Sequence, residues 1–264
     1  MSVLIALLLG AVQGLCEFLP VSSSGHLVLI QNVFGISENV LFFDTMLHLG
    51  TLIAVFAVYW EQIINIIRHP IQKKTGMLLI STVITTAIAF TFRNFFESSY
   101  EGTFLGFGFL FTAIVLFLTE RIQNAHKNIG EMKVHDSVMI GIMQGVAIMP
   151  GISRSGSTIA GAMYTGLKRS EAADFSFLLS IPAILGSVIM QVPEVAANGI
   201  GPIDLASVIT GTAAAAATGY FAIKFMLKII VRKGLKGFAI YVAALGAFVL
   251  LDQFALNLFF TRPF

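Results

Sequence analysis

The chain alternates apolar runs with short polar interruptions, and the length of each run limits what it can be. Six runs read as membrane crossings: Phe42–Trp60, Met77–Phe92 (extendable to Phe96), Thr103–Thr119, Phe175–Val192, Leu205–Leu227 and Phe238–Leu258. Pro182 inside the fourth predicts a kink. The alanine and glycine of the fifth predict close helix contact in lipid. Four other runs, Met1–Leu15, His26–Phe34, Ser137–Met149 and Thr158–Leu167, fall short of the roughly 20 residues a crossing helix needs. They come in two pairs, each joined by a polar, glycine-bearing loop. Each pair reads as a re-entrant hairpin, because irregular backbone at membrane depth persists only where protein or a wet cavity surrounds it.

The two loops echo each other at a constant offset of 131 residues. Gln144-Gly145 matches Gln13-Gly14, and Ser153-Arg154-Ser155-Gly156 matches Ser22-Ser23-Ser24-Gly25. Leu185-Gly186-Ser187-Val188-Ile189 resembles Leu49-Gly50-Thr51-Leu52-Ile53. The polar connector from Glu120 to Asp136 divides the chain into repeats of approximately 1–121 and 135–260 within a single membrane domain, 1–264. One hairpin plus three crossings per repeat is an odd number of passages, so the second repeat starts on the opposite side and is inverted. The predicted fold is an all-α polytopic membrane protein with six transmembrane helices and two re-entrant hairpins in an inverted-topology repeat. Such repeats place a site near the midplane.

Composition agrees with a membrane protein. Of 264 residues 56% are hydrophobic and 11% charged, with a mean hydropathy of +0.88. Soluble domains carry roughly 25% charged residues. No Lys or Arg precedes Arg68, so the apolar N-terminus lacks the basic region of a signal peptide and is expected to stay in the mature fold. The lone cysteine, Cys16, excludes an intrachain disulfide and reads as a small packing residue. On the predicted topology thirteen of the sixteen basic residues fall on one side, Arg93 and Arg262 on the other, and Arg154 in the second loop. The positive-inside rule makes the rich side cytoplasmic. Both termini are then outside, and the first hairpin enters from outside.

Glu17 and Arg154 are the informative charges, since a charge at membrane depth costs at least about 2.5 kcal/mol. A purely structural ion pair would not need the hydroxyls and glycines around them. Gln13 and Glu17, four residues apart on one helix face, can offer oxygens to a hard cation such as Mg²⁺ or else prop the loop. Ser22, Ser23, Ser153, Ser155, Gly156 and Thr158 belong to loops that lead into helices, where N–H groups favour an anion and Arg154 can grip phosphate. Capping accounts for one hydroxyl per loop, not for all of them. His26, beside the serines, suits proton transfer, serine activation or direct attack on phosphorus. Asp44 and His48 read as a satisfied helix-end pair. The sum is a buried site for a phosphorylated ligand that enters from the bilayer, a lipid phosphate or diphosphate; no nucleic-acid partner is expected.

The segments Gln13-x-x-x-Glu17, Phe18–His26 and Pro150–Thr158, with Leu47-His48-Leu49-Gly50-Thr51, resemble those of the undecaprenyl-diphosphate phosphatases of the bacitracin-resistance family. The resemblance covers essentially the whole chain. It implies hydrolysis of undecaprenyl diphosphate in the bacterial inner membrane, recycling of the lipid carrier for cell-wall synthesis, and bacitracin tolerance. It also implies dependence on Mg²⁺ or Ca²⁺ and a site opening outward. Gln13 and Glu17 fill the family's acid-pair motif, Ser22 and Ser23 its serine motif, His26 its histidine, and Ser153, Arg154 and Thr158 its phosphate loop. The expected roles are phosphate binding by Arg154, metal binding by Glu17 with Gln13, attack by Ser23 or water, and proton movement by His26. A transporter of a phosphorylated lipid or other anion is the alternative, and a homodimer is left open.

Overall fold

The computed structural model describes residues 1–36, 40–99, 104–123, 125–198 and 203–260. Its helices are α1 (Val3–Phe18), α2 (Ser23–Val33), α3 (Leu41–Arg68), α4 (Lys73–Thr91), α5 (Arg93–Ser99), α6 (Leu105–Glu120), α7 (Val134–Val146), α8 (Arg154–Tyr164), α9 (Arg169–Asn198), α10 (Leu205–Arg232) and α11 (Lys236–Leu251). A 3₁₀ turn lies at Ile129–Glu131 and a π turn at Asp252–Leu256. The all-helical expectation holds among the described residues. Five helices are long and apolar enough to cross a membrane: α3, α4, α9, α10 and the α11 segment continued to Leu256. The Thr103–Thr119 run forms α6 with 16 residues, and its predicted start lies outside the described residues. Arg93 and its neighbours, expected as loop, form the short helix α5.

Large apolar side chains such as Ile53, Val83 and Phe221 stand on the outer surface. A contiguous apolar exterior over long helices defines a multi-pass membrane protein. The interior holds Phe18, Phe109, Phe175 and Phe177, with the polar loop residues gathered among them.

The four short runs form two helix–loop–helix units, and the offset of 131 that relates their sequences also relates their helices. Val3 begins α1 and Val134 begins α7; α2 spans Ser23–Val33 and α8 spans Arg154–Tyr164. Each broken unit is seated on the other half of the chain: α1 packs on α10 and α7 on α4. Glycines set these seats. A Cβ on Gly10 would strike the Gly211 carbonyl, and one on Gly14 would reach within 2.7 Å of the Gly219 nitrogen. At the matching positions of α7, a Cβ on Gly141 would lie 2.7 Å from Ser81 O, and one on Gly145 2.6 Å from Ile88 Cδ1. Backbones this close gain van der Waals contact where lipid supplies no hydrophobic drive.

One end of the bundle is tied by charge. Lys73 Nζ donates to Gly130 O (2.7 Å), Arg169 Nη1 to Glu120 Oε2 (3.1 Å), and Leu235 N–H to the same oxygen (2.7 Å). Lys127 bridges Asp136 Oδ2 and Thr165 O, each at 2.8 Å. These contacts collect basic residues of the cytoplasm-assigned set where α4, α9 and α11 begin and α6 ends. Arg262, from the opposite set, lies outside the described residues.

A bulky residue at a glycine seat should be far costlier than at an open position. Gly10→Val is expected to destabilise the protein by about 2–3 kcal/mol through overpacking, whereas Gly76→Ala, with nothing within 4 Å of its Cβ, should not. Thermal unfolding in detergent checks this; equal Tm values would refute the seating argument.

Candidate active site

The loops between α1 and α2 and between α7 and α8 meet inside the protein. Ser155 Oγ donates to Leu19 O at the end of α1 (2.9 Å). A Cβ on Gly156 would lie 3.2 Å from Pro20 Cβ. Pro150 and Gly151 wedge against α6, where a Cβ on Gly108 would lie 2.9 Å from Gly151 Cα. Gly151 has φ +86°, a left-handed turn that suits glycine. Thr112 Oγ1 of α6 fixes this loop by donating to Gly151 O (2.9 Å), with Ser153 N–H 3.0 Å from the same hydroxyl.

Ser22 and Ser153 cap the second helix of each unit. Ser22 Oγ accepts from Gly25 N–H (3.4 Å) and Ser153 Oγ from Gly156 N–H (3.0 Å). Ser22 does so at φ +68°, uncommon for a residue with a side chain, while Ser153 is extended at φ −73°. Each cap also has a serine neighbour, Ser22 with Ser24 (3.4 Å) and Ser153 with Ser155 (3.2 Å).

The charges converge as the sequence suggested. Arg154, first residue of α8, donates through Nη2 to Glu17 Oε1. Glu17 Oε2 accepts from Ser23 Oγ (2.5 Å) and Gln13 Nε2 (3.0 Å). Glu17 and Gln13 are buried, and the pairing offsets the cost of burying each charge. Among the described residues, two atoms of the cluster find no hydrogen-bond partner: Gln13 Oε1 and Arg154 Nη1. One is an acceptor and the other a charged donor, so the cluster can still receive a cation and an anion. A carboxylate and an amide oxygen are the donors a hard divalent cation takes, so Gln13 and Glu17 fit such an ion.

Other expected residues have different surroundings. Thr158 Oγ1 pairs with Ser176 Oγ of α9 (2.6 Å) and donates to Arg154 O (2.9 Å), so it braces α8 rather than standing open. Asp44 and His48 are not a side-chain pair: the Asp44 carboxylate accepts from Gln31 Nε2 (3.0 and 3.1 Å), while His48 Nδ1 bonds to Asp44 O (2.7 Å). His48 Nε2 instead faces Glu17 Oε2 at 4.0 Å. His26 bonds not to Ser23 but to Ser22 O through Nδ1 (2.7 Å) and to the Tyr241 hydroxyl through Nε2 (2.8 Å). Tyr241 is the contributor that spacing did not single out; spacing paired His48 with Asp44 and did not show that it faces Glu17. His48 carried a weak signal in its motif; Tyr241, a tyrosine in the last span, carried none.

Fold and site together define a polytopic helical membrane protein with a buried polar centre of one carboxylate, one guanidinium and flanking hydroxyls. The family model for bacitracin resistance protein BacA matches residues 6–248, and the chain belongs to that family. Among similar proteins is one named undecaprenyl-diphosphatase from Carboxydothermus hydrogenoformans, 47% identical over 95% of this chain and 97% of its own length. Another, named undecaprenyl-diphosphatase 4, is from Bacillus thuringiensis subsp. konkukian and is 43% identical over 94% and 96%. A third, named undecaprenyl-diphosphatase, is from Halothermothrix orenii and is 39% identical over 95% and 98%.

Removing one partner of a buried pair leaves the other charge uncompensated, at about 3–5 kcal/mol. Glu17→Gln should therefore lower the unfolding temperature clearly. Glu17→Gln combined with Arg154→Met should recover much of that loss. If the double variant is less stable than Glu17→Gln alone, the charges do not act as a pair.

Proposed function

We propose that this protein removes the terminal phosphate of undecaprenyl diphosphate, giving undecaprenyl phosphate and phosphate. The reaction recycles the lipid carrier for cell-wall synthesis and so confers tolerance to bacitracin. Family membership and the names of the relatives support the substrate. The observation that carries the chemistry is the junction of Glu17, Ser23 and Arg154, with a guanidinium nitrogen still open beside a hydroxyl 2.5 Å from a carboxylate.

Arg154 Nη1 and the N-terminus of α8 hold the terminal phosphate and draw charge from it as the bond to the leaving phosphate breaks. Ser23 Oγ is the attacking atom, and Glu17 Oε2 orients its proton and accepts it. A Ser23 Oγ–phosphorus bond forms, the bridging oxygen–phosphorus bond breaks, and undecaprenyl phosphate leaves. Water then cleaves the phosphoserine, releasing phosphate and restoring the Ser23 hydroxyl; His26 moves the water's proton. Gln13 and Glu17 would hold Mg²⁺ or Ca²⁺, which supplies charge neutralisation to the diphosphate when bound. Ser22 and Ser153 shape the loops as caps, with Ser155, Gly156 and Thr158 bracing the phosphate loop.

The surrounding architecture is read as six crossings, counting α6, with two re-entrant hairpins in an inverted repeat. The matched helix bounds and the exchanged seats of α1 and α7 support that reading. The basic end of the bundle then faces the cytoplasm of a bacterial cell whose inner membrane holds the protein, and the site opens outward with both termini outside.

Purified protein in detergent should release phosphate from undecaprenyl diphosphate, and EDTA should abolish release. Arg154→Lys keeps the charge but loses the planar fork, so a loss of about 100-fold or more is expected. Near-wild-type turnover in that variant would overturn the role of Arg154, and no release from folded wild type would overturn the hydrolase reading.

A further inference from the structure

His26 is held by groups from two helices far away in the chain. Its Nδ1 lies 2.7 Å from Ser22 O. A carbonyl oxygen only accepts, so Nδ1 carries hydrogen. The neutral ring then keeps its lone pair on Nε2, and the Tyr241 hydroxyl donates to it at 2.8 Å. The Tyr241 ring lies almost parallel to the imidazole, at 5.7 Å between centroids and 18° between planes. Phe109 meets the imidazole edge-on at 5.6 Å and 85°. Tyr241 belongs to α11 and Phe109 to α6, and these helices are packed together, with Gly246 close to Gly106 O. The α6–α11 pair thus grips one side chain in the first turn of α2.

We infer that Tyr241 is a positioning residue for His26. Its hydroxyl bonds Nε2, and its ring stops the imidazole from turning. Packing alone would be met by phenylalanine; the Ser22 carbonyl already fixes the tautomer, and the hydroxyl adds the bond that holds Nε2 in its direction. A metal-ligating or phosphate-binding role is not needed for Tyr241, because its effect passes through His26. In turnover Nε2 exchanges the phenol for the proton of the attacking water, and the phenol itself makes and breaks no covalent bond. The inference rests on the hydrolase reading and on the role given to His26 there.

The test uses the full chain in detergent as wild type, Tyr241→Phe, His26→Gln and the double variant. Tyr241→Phe should lower kcat about tenfold, the order of one lost hydrogen bond, with KM within about twofold. In the His26→Gln background the same change should cost nothing further, since residues that act as a unit are not additive. In ¹⁵N spectra of histidine-labelled protein, the signals absent from His26→Gln identify His26. Tyr241→Phe should move its Nε2 signal towards that of an unbonded acceptor. Wild-type kcat in Tyr241→Phe, a loss that adds in full to that of His26→Gln, or an unmoved Nε2 signal would each overturn the inference. Absence of phosphate release from wild type would instead fell the hydrolase reading, and the ¹⁵N shift alone would then decide whether Tyr241 governs His26.

Discussion

The contact between Glu17 and Arg154 is the constraint on which the rest depends. A charge buried without its partner is costly, and the pair is acceptable only with good geometry and satisfied remaining atoms. Glu17 meets that demand through Arg154, Ser23 and Gln13. Arg154 must therefore be delivered from a loop more than a hundred residues away to within hydrogen-bond reach. The loops interlock to do so, Ser155 on the Leu19 carbonyl and Gly156 against Pro20.

Helix seating supplies the required precision. Glu17 stands in the last turn of α1, which lies on α10, and Arg154 opens α8, which follows α7, and α7 lies on α4. Gly10, Gly14, Gly141 and Gly145 let these helices approach closely enough for backbone to meet backbone or a neighbouring side chain. A shift of either seat would move one charge away from the other. Small residues far from the charged cluster thus control its electrostatics through distance.

Much of this was legible from the residues. Run lengths picked out the five long helices but did not set apart α6, whose 16 residues equal those of α1, and unneutralised charge in apolar sequence marked Glu17 and Arg154. What spacing cannot show is the direction of a side chain across helices. Ser23 turns to Glu17 and not to His26, and His48 keeps Nδ1 on the Asp44 carbonyl while turning Nε2 towards Glu17, because the pairing of α1, α2 and α3 decides which groups face. Tyr241 reaches His26 across 215 residues, a partnership that the folding of α11 onto α6 creates and no local pattern encodes. The short helix α5 was hidden for a different reason: a run of seven residues is too brief to show a period.

The two loops share a serine cap but not their chemistry. At the offset that superposes them, Glu17 corresponds to Ile148 and Arg154 to Ser23. In a first half paired with a copy of itself Glu17 would meet a serine, and in a second half so paired Arg154 would meet an isoleucine, so neither charge would be neutralised. As the two sequences stand, neither half can form this ion pair with a copy of itself. The division of labour between the halves therefore ties them into one polypeptide as firmly as any linker.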